Sequence, residues 1–325
     1  MSRYLVTGAA GFIARAVIER LAAEGHEVVG VDNLNDSYDP RLKEWRLRQL
    51  SSLPQFTFIK DDICRPDFFT DLNRNFSSIQ AVIHLAARAG VRQAVEIPDI
   101  YLQTNAAGTL NLLEWCRKSD VNKLVLASTS SIYGANPPLP TPEDADSCHP
   151  LQIYAASKKA AEVMAYTYHH LYDLDATVVR FFTVYGPAGR PDMVMFRFTR
   201  WIAEGNPVQI TGDGEQMRGF TYVDDIADGV LKALKPVGYE IINLGGHETI
   251  TINDLLKRIE TLLGRKADVR YIPRHPADVD ANWADVTKAR RLLGWEPKVS
   301  LDEGVAKMVN WYIQQRDWAR DIQIP

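Results

Sequence analysis

The sequence has few cysteines and lacks any long apolar run. Its three cysteines, Cys64, Cys116 and Cys148, are odd in number and far apart, so they provide neither a disulfide framework nor the spacing of a zinc site. They favour a reducing compartment, and we expect a cytoplasmic protein. No stretch reaches the roughly 18 apolar residues that a membrane-spanning helix requires, and the first residues do not have the pattern of a signal peptide. We therefore expect no membrane contact and no metal site.

The sequence also lacks an excess of positive charge. Lysine and arginine together number 37 against 41 aspartates and glutamates, which leaves a formal net charge of −4. This balance argues against an extended basic surface for nucleic acid, so an anionic ligand would have to be bound by a few local arginines. The seven histidines form no cluster, and His84, at the end of an apolar stretch, is predicted to be a core residue.

What the sequence does contain is a regular alternation of apolar strands with helices. The predicted strands cover residues 4–7, 27–31, 56–60, 81–84, 123–127 and 176–181. This alternation is typical of an α/β protein with a doubly wound parallel sheet, the Rossmann fold, and right-handed crossovers. We expect residues 1–182, completed by 223–248, to bind a dinucleotide. Residues 183–325 are expected to form mainly a smaller, interleaved C-terminal substrate domain.

A glycine-containing turn joins the first predicted strand to the first helix. Gly8 permits the tight turn, and Gly11 lets the backbone approach a pyrophosphate at the helix N-terminus, although Ala14 stands where a third glycine is usual. Asp32 ends the second strand, about twenty residues further on, where a carboxylate accepts hydrogen bonds from a ribose 2′-hydroxyl and repels a 2′-phosphate. The pattern predicts a site for NAD rather than NADP.

Tyr154 and Lys158 stand four residues apart at the start of a predicted helix. On a helix they would share one face, about 6 Å apart along the axis. A free phenol has a pKa of about 10, so it is a poor base at neutral pH unless a nearby cation stabilises the phenolate. The pair therefore predicts an acid/base group, although this spacing alone also arises by chance on helix surfaces.

Four consecutive hydroxyl residues, 128–131, follow the fifth predicted strand. Such a run is compatible with a hydrogen-bonded turn. In a doubly wound sheet the carboxyl ends of the strands face the ligand crevice, so these hydroxyls are also candidates for substrate contacts.

Considered jointly and in this order, Gly8-x-x-Gly11-x-x-Ala14, Asp32, Thr129 and Tyr154-x-x-x-Lys158 resemble the extended short-chain dehydrogenases/reductases of the nucleotide-sugar epimerase group. Within that group, segments 32–36, 86–92 and 181–193 are most similar to those of the UDP-glucuronate 4-epimerases. The resemblance implies NAD as cofactor, a UDP-sugar as substrate and a homodimer formed through helices 104–118 and 154–172. It also implies inversion at C4, from UDP-glucuronate to UDP-galacturonate, through a transient 4-keto sugar.

The resemblance assigns roles to individual residues. Thr129 and Tyr154 would contact the sugar 4-hydroxyl and, with Lys158 at the nicotinamide ribose, form the catalytic set. The expected cofactor contacts are Gly8, Gly11, Phe12, Ile13, Asp32, Asn33, Asp62, Ile63, Leu85, Ala86, Ala87, Tyr154 and Lys158. The expected substrate contacts are Thr129, Ser130, Ser131, Tyr154, Thr183, Arg190, Arg218 at the diphosphate and Asp278 at the uridine ribose. Three departures from the pattern are Ala14, Arg88 in place of the usual Gln, and His275 in place of an Arg of some hexose epimerases.

The residues after Thr129 distinguish between possible reactions. Related dehydratases carry an Asp-Glu pair there, and UDP-glucuronate decarboxylases usually have Glu at the place of Ser131; both acids are missing. The hydroxyls of Thr129, Ser130 and Ser131, with Thr183 where hexose epimerases usually have Asn, favour binding of a C5 carboxylate. A neutral 6-hydroxymethyl group would also be accommodated, so UDP-glucose 4-epimerase and UDP-glucuronate decarboxylase stay as alternatives. A redox-silent dinucleotide sensor is the non-enzymatic alternative.

Overall fold

The computed structural model of the chain describes residues 1–246, 248–274 and 278–324. In chain order, the described strands are β1 Arg3–Thr7, β2 Glu27–Asp32, β3 Phe56–Lys60, β4 Ala81–His84, β5 Lys123–Thr129, β6 Asp175–Phe181, β7 Thr183–Tyr185, β8 Val208–Thr211, β9 Met217–Tyr222, β10 Tyr239–Leu244, β11 Glu248–Thr251, β12 Val269–Ile272 and β13 Ala281–Asn282. The described helices are α1 Phe12–Ala23, α2 Arg41–Leu50, α3 Phe68–Asn75, α4 Gln93–Glu96, α5 Pro98–Tyr101, α6 Gly108–Lys118, α7 Ile153–Tyr172, α8 Val194–Glu204, α9 Val223–Lys232, α10 Ile252–Leu263, α11 Thr287–Leu293, α12 Leu301–Gln314 and α13 Arg316–Ala319.

Within the described residues, seven parallel strands form the main sheet, in the order β10-β6-β5-β4-β1-β2-β3. The predicted doubly wound parallel sheet is confirmed. The strand order reverses between β1 and β4, because successive strands are added on opposite sides of β1. A crevice opens at the carboxyl ends of the strands at such a reversal, and this is where doubly wound sheets bind ligands.

Apolar residues cover both faces of this sheet. Side chains alternate across a strand, so Leu5 and Val6 of β1 point to opposite faces, and both are fully buried. Val6 belongs to the core that includes α1 and α9, whereas Leu5 belongs to the core that includes α3, α6 and α7. The near-continuous apolar runs of these strands follow from burial on both faces.

The chain after β6 builds a smaller layer beside the crevice. There β9 pairs with β7, β11 and β13, and β8 pairs with β12. Helices α8, α10 and α12 pack together around these strands. Because β10 lies in the main sheet, the chain leaves that sheet after β6 and returns to it before it completes the smaller layer.

Two predicted helices differ from those observed. The helix predicted over 42–53 ends at Leu50, because the residue before Pro54 disfavours helical geometry and the turn closes earlier. The helical run predicted over 104–118 already begins at Pro98, a residue favoured in the first turn. It passes through a π-helical segment, Leu102–Ala107, before α6.

The environment of His84 matches the prediction of a core residue. Its side chain is fully buried, with Nδ1 2.6 Å from the Thr7 hydroxyl and Nε2 3.0 Å from the Thr109 hydroxyl. Burial lowers the pKa of His84 to about 3, and the charge of Lys158 acts in the same direction. The imidazole is therefore neutral at physiological pH and ties β4 to β1 and α6.

Two possible features are not found in the part of the chain that the structure describes. No helix there is both long enough and apolar enough to cross a membrane. No group of three or more His, Cys, Asp or Glu side chains is arranged there to hold a metal ion.

Candidate active site

A cleft of about 830 Å³ opens between the carboxyl ends of the main sheet and the smaller layer. Most residues predicted to bind cofactor or substrate line it: Gly8, Gly11, Phe12, Ile13, Leu85, Ala87, Thr129, Ser130, Ser131, Tyr154, Lys158, Thr183, Arg190, Arg218 and Asp278. Residues that are far apart in the sequence therefore meet in one cavity. Its volume is within the range expected for a small-molecule site.

The remaining predicted contacts, Asp32, Asn33, Asp62, Ile63 and Ala86, do not line this cavity. Asn33 donates a hydrogen bond to Asp62 at 2.8 Å, which joins the ends of β2 and β3. The carboxylate of Asp32 accepts hydrogen bonds from the backbone N–H groups of Ala10, at 3.2 Å, and Leu34, at 2.8 Å. The ammonium of Lys43 lies 3.6 Å from it, so the negative charge of Asp32 is partly compensated.

The glycine turn leaves no room for side chains. Gly8 has φ +73°, and a Cβ there would lie 2.8 Å from the Cα of Ala86. A Cβ on Gly11 would lie 2.7 Å from the carbonyl oxygen of Gly8. Helix α1 begins directly after this turn, and no side chain caps it. Its first N–H groups therefore face the cleft as donors for an anion.

Helix α7 carries Tyr154 in its first turn and Lys158 one turn later, as the sequence predicted. The Gln152 side chain begins the helix by accepting a hydrogen bond from the Ala155 N–H at 2.8 Å. Lys158 is 2% exposed, and its ammonium has no hydrogen-bond partner among the described residues. Burial lowers the pKa of Lys158 to about 8, whereas the charge of Glu162 acts in the opposite direction.

Glu162 anchors α7 to the strands behind the cleft. It is fully buried and accepts two hydrogen bonds from Arg180 of β6, at 2.9 and 2.8 Å. The Ser128 hydroxyl donates a third, at 2.6 Å, to the same carboxylate. One carboxylate therefore fixes the end of β5, which includes Thr129, relative to the helix that carries Tyr154.

The surroundings of Tyr154 act on its acidity in two directions. Removal from water raises the pKa of Tyr154, whereas a hydrogen bond with Thr129 and the charge of Arg190 lower it. The sequence alone indicated Lys158 as the cation that acidifies this phenol. In the structure the charge of Arg190 also lowers the pKa of Tyr154, although by less than burial raises it. The role of Lys158 stays a prediction.

The hydroxyl residues after β5 form a hydrogen-bonded turn and also line the cleft. The Thr129 hydroxyl donates to Ser131 Oγ and accepts from the Ser131 N–H, both at 3.2 Å. Ser130 accepts a hydrogen bond from Asn282 at 3.0 Å, which links the turn to β13 of the smaller layer. The same residues can therefore form a hydrogen-bonded turn and also be candidates for substrate contacts.

Several arginines surround the far side of the cleft. Arg218 is held by backbone carbonyls, including those of Met217 at 2.8 Å and Val279 at 2.7 Å. The carboxylate of Asp278 lies 3.3 Å from Arg92, so one predicted substrate residue is paired with a cation. The predicted departure at His275 falls outside the described residues.

Arg88, where related epimerases usually have Gln, does not line the cavity. Its backbone N–H and carbonyl are both hydrogen-bonded by the side chain of Asn105, at 2.8 and 2.9 Å. Its guanidinium lies 4.0 Å from the exposed carboxylate of Asp36.

Comparison with known proteins identifies the family. The model of the NAD dependent epimerase/dehydratase family matches residues 4–245. The chain belongs to this family. It is 53% identical, over the whole of both chains, to a UDP-glucuronate 4-epimerase of Thermodesulfobacterium geofontis.

Solved structures of family members share the whole architecture. The UDP-glucuronic acid 4-epimerase of Bacillus cereus, in complex with UDP-glucuronic acid and NAD, has a TM-score of 0.90 at 34% identity, covering 96% of this chain and 99% of that one. The UDP-glucose 4-epimerase of Thermotoga maritima, with UDP-glucose, has the same TM-score and identity over 97% and 99% of the two chains. The fold therefore supports epimerase chemistry without distinguishing the two sugars.

The cleft fits the dinucleotide that the family name implies. The turn at Gly8 and Gly11 would lose its shape with any side chain, as a phosphate cradle requires. The ammonium of Lys158 is buried with no partner in the described part of the chain, which is costly unless a ligand accepts its hydrogen bonds. Both features are explained by a bound dinucleotide.

Several buried polar residues around the cleft were not predicted from the sequence. Lys43 and Arg46 belong to a helix that looked like an ordinary charged surface helix, yet they are 4% and 0% exposed. Their spacing of three residues places them on one helix face, and this was the only available signal. Glu162 continues the Tyr154 and Lys158 face by one further turn, a signal that was present in the spacing.

The depressed pKa of Lys158 predicts a pH-dependent stability for the cofactor-free protein. Between pH 8 and 10.5, the unfolded chain binds the Lys158 proton more strongly than the folded one. The unfolding free energy of the wild type should therefore rise with pH in this window relative to Lys158→Met. Urea unfolding of both proteins from pH 7 to 10 measures the difference, and a constant difference would contradict the prediction.

Proposed function

We infer that the protein is an NAD-dependent UDP-glucuronate 4-epimerase, an isomerase that interconverts UDP-glucuronate and UDP-galacturonate. The observation that carries this inference is the cleft in which Tyr154 and Lys158 face a run of neutral hydroxyl donors beside the glycine turn. The full-length similarity to a UDP-glucuronate 4-epimerase supports the same activity.

NAD would be held by the turn at Gly8 and Gly11, by the start of α1, by Asp32 at the ribose and by Lys158. When bound, it supplies a hydride acceptor for C4 of the sugar and then returns that hydride, so the reaction has no net redox change. The residues around the cleft supply binding, orientation and proton transfer.

Tyr154 is the acid/base group of this mechanism. Its phenolate accepts the proton of the sugar 4-hydroxyl, which Thr129 would also contact, and later returns a proton to the same oxygen. Burial raises the pKa of Tyr154, whereas the hydrogen bond with Thr129 and the charge of Arg190 favour the phenolate. The ammonium of Lys158, one helical turn away, would act in the same direction as Arg190. Lys158 stays predominantly charged below its pKa of about 8, so it can play this part at neutral pH.

Inversion at C4 requires the 4-keto sugar to present its other face. Arg218, fixed by backbone carbonyls, would hold the diphosphate while the sugar turns about this linkage. We assign the nucleotide sugar mainly to residues 183–325, and the dinucleotide to residues 1–182 with 223–248.

The uronate is favoured over the hexose by the groups near Tyr154. Once C4 is a ketone, a C5 carboxylate is β to it and prone to leave as carbon dioxide. Hydroxyls of Thr129, Ser130, Ser131 and Thr183 would hold the carboxylate in the plane of the sugar, where its bond to C5 is poorly aligned with the ketone. Arg190, which forms an ion pair with Asp192 at 2.6 Å, would add a positive field near the carboxylate.

UDP-glucose 4-epimerase is the second candidate function. The specific observation in its favour is that the Thermotoga maritima enzyme matches this chain as well in fold and identity as the Bacillus cereus uronate epimerase does. The redox-silent sensor is disfavoured, because Tyr154 and Lys158 are both in place in the cleft.

We also propose a homodimer that forms through α6 and α7. Leu110 on α6 and Val163, Tyr166 and Tyr172 on α7 are between 42% and 53% exposed. Apolar side chains grouped on adjacent helices are typical of a protein–protein interface.

We place the protein in the cytoplasm because its three cysteines are unpaired, a location that cell fractionation would test.

The dimer predicts a position-dependent effect of charge. Tyr166→Glu should convert a dimer to a monomer in sedimentation-velocity measurements, because a carboxylate would be buried without a partner. The control is Ile313→Glu on α12, a residue that is 47% exposed, which should leave the dimer intact. A wild-type monomer, or equal effects of the two changes, would contradict this interface.

Removal of the phenolic hydroxyl tests the acid/base assignment. Tyr154→Phe should lower kcat by about a hundredfold or more, because the proton of the 4-hydroxyl loses its acceptor. It should retain NAD, since only the proton-transfer group is removed, and NADH titration measures this separately. Turnover at a near-normal rate would exclude Tyr154 as the base.

Substrate choice tests the proposed function directly. UDP-glucuronate, UDP-glucose and UDP-xylose are offered separately, and products are resolved by chromatography and mass. We expect UDP-galacturonate as the main product, with little loss of carbon dioxide, because the hydroxyl cluster orients the carboxylate. Equal turnover of UDP-glucose would show that the cluster does not recognise a carboxylate, and a dominant pentose product would favour the decarboxylase.

A further inference from the structure

Arg46 of α2 is a fully buried cation that none of the assignments above uses. Its guanidinium donates to the carbonyl of Ala188 from Nε at 3.1 Å and from Nη2 at 2.7 Å. Nη1 donates to the carbonyl of Ala10 at 3.1 Å and to the Tyr38 hydroxyl at 2.6 Å. All four of these hydrogen bonds are therefore accepted by neutral oxygens.

These contacts leave the charge of Arg46 without a counterion. Among residues 1–246, 248–274 and 278–324, no carboxylate forms an ion pair with it, whereas its helix neighbours Arg41 and Lys43 lie beside Asp39 and Asp32. A buried cation that has only neutral acceptors is costly, because these replace its hydration incompletely. The rings of Phe12 and Tyr38, at 6.0 and 5.4 Å, offset part of this cost.

The position of Arg46 suggests which anion compensates its positive charge. Ala10, whose carbonyl it binds, lies between Gly8 and Gly11 in the turn that would hold the dinucleotide diphosphate. Opposite charges interact more strongly in the interior than in water, since the effective dielectric constant is lower there. A diphosphate in the turn would thus compensate Arg46, and Arg46 would strengthen its binding.

Arg46 also connects the cofactor turn to the loop that carries Arg190. Ala188 has φ +55°, a left-handed conformation that is unfavourable for a residue other than glycine. Two hydrogen bonds from Arg46 hold its carbonyl in place, two residues before Arg190. The same guanidinium therefore contacts the glycine turn, the loop after β2 and the loop that lines the substrate side of the cleft.

We propose that Arg46 is a positioning residue that provides the countercharge for the cofactor diphosphate and couples cofactor binding to the placement of Arg190. This inference rests on the NAD-dependent function proposed above. Arg46 of α2 would thus affect the binding of both the dinucleotide and the nucleotide sugar, although its side chain lies behind the glycine turn.

Two substitutions separate the charge from the hydrogen bonds. Arg46→Gln keeps an amide donor but removes the charge, and it should weaken NADH binding, measured by fluorescence without any sugar nucleotide, by about 30-fold. Arg46→Lys keeps the charge but cannot bond Ala188, Ala10 and Tyr38 together, so its NADH affinity should fall less. Arg48→Met, an exposed residue of the same helix, is the control and should bind NADH as the wild type does.

The coupling is measured with UDP as the probe. In the wild type, saturating NAD should tighten UDP binding in calorimetric titrations, and this ratio of affinities should fall to about one in both Arg46 variants. Circular dichroism checks the fold, and if Arg46→Gln does not fold, the ratio in Arg46→Lys decides. NADH affinities within about twofold of the wild type in both variants, or an unchanged ratio, would overturn the proposal. Absence of NADH binding by the wild type would instead overturn the proposed function.

Discussion

The buried ion pair between Glu162 and Arg180 fixes the geometry on which the site depends. It joins α7 to β6, and the hydroxyl of Ser128 joins β5 to the same carboxylate. A buried pair of this kind contributes little net stability, because desolvation offsets the attraction. Its consequence is one of position: the start of α7 and the end of β5 are fixed relative to each other, so Tyr154 and Thr129 lie side by side in the cleft.

The electrostatics of the cleft follow from local rather than global charge. The chain has a net charge of −4, yet cationic side chains surround the cavity and the turn behind it. Lys158 and Arg46 are both buried, and among the described residues no carboxylate lies within ion-pair distance of either of them. In both cases we propose that a bound ligand supplies the partner: ribose hydroxyls at Lys158 and a diphosphate near Arg46.

The chemistry of the site is limited by what its hydroxyls can do. A 4,6-dehydratase needs additional acid/base groups to eliminate water, and the turn after β5 offers only neutral donors next to Tyr154. The same turn is tied to the smaller layer by Asn282 and Ser130. A direct hydrogen bond therefore joins the smaller layer to the turn that carries the hydroxyl groups.

The sequence by itself determined the features that depend on neighbouring residues. The glycine turn, the acidic end of β2 and the four-residue spacing of Tyr154 and Lys158 are local patterns, because backbone conformation and helix periodicity act over a few residues. The alternation of strands and helices likewise predicted the parallel sheet and the crevice at its carboxyl edge. Helix boundaries were less accurate, since Pro54 and Pro98 shift the ends by a few residues.

Only the tertiary structure decided which charged residues are buried and what they contact. Arg46 binds Ala188, which lies 142 residues away, and Arg92 meets Asp278 at a separation of 186 residues. The spacing of α2 places Arg46 on the same face as Leu42 and Leu50, but the loops that cover this face are known only from the structure. The tertiary structure likewise decided the surroundings of Tyr154, because burial raises its pKa whereas the distant cation Arg190 lowers it. Contacts of this kind arise when the crossovers bring separate loops to one edge of the sheet.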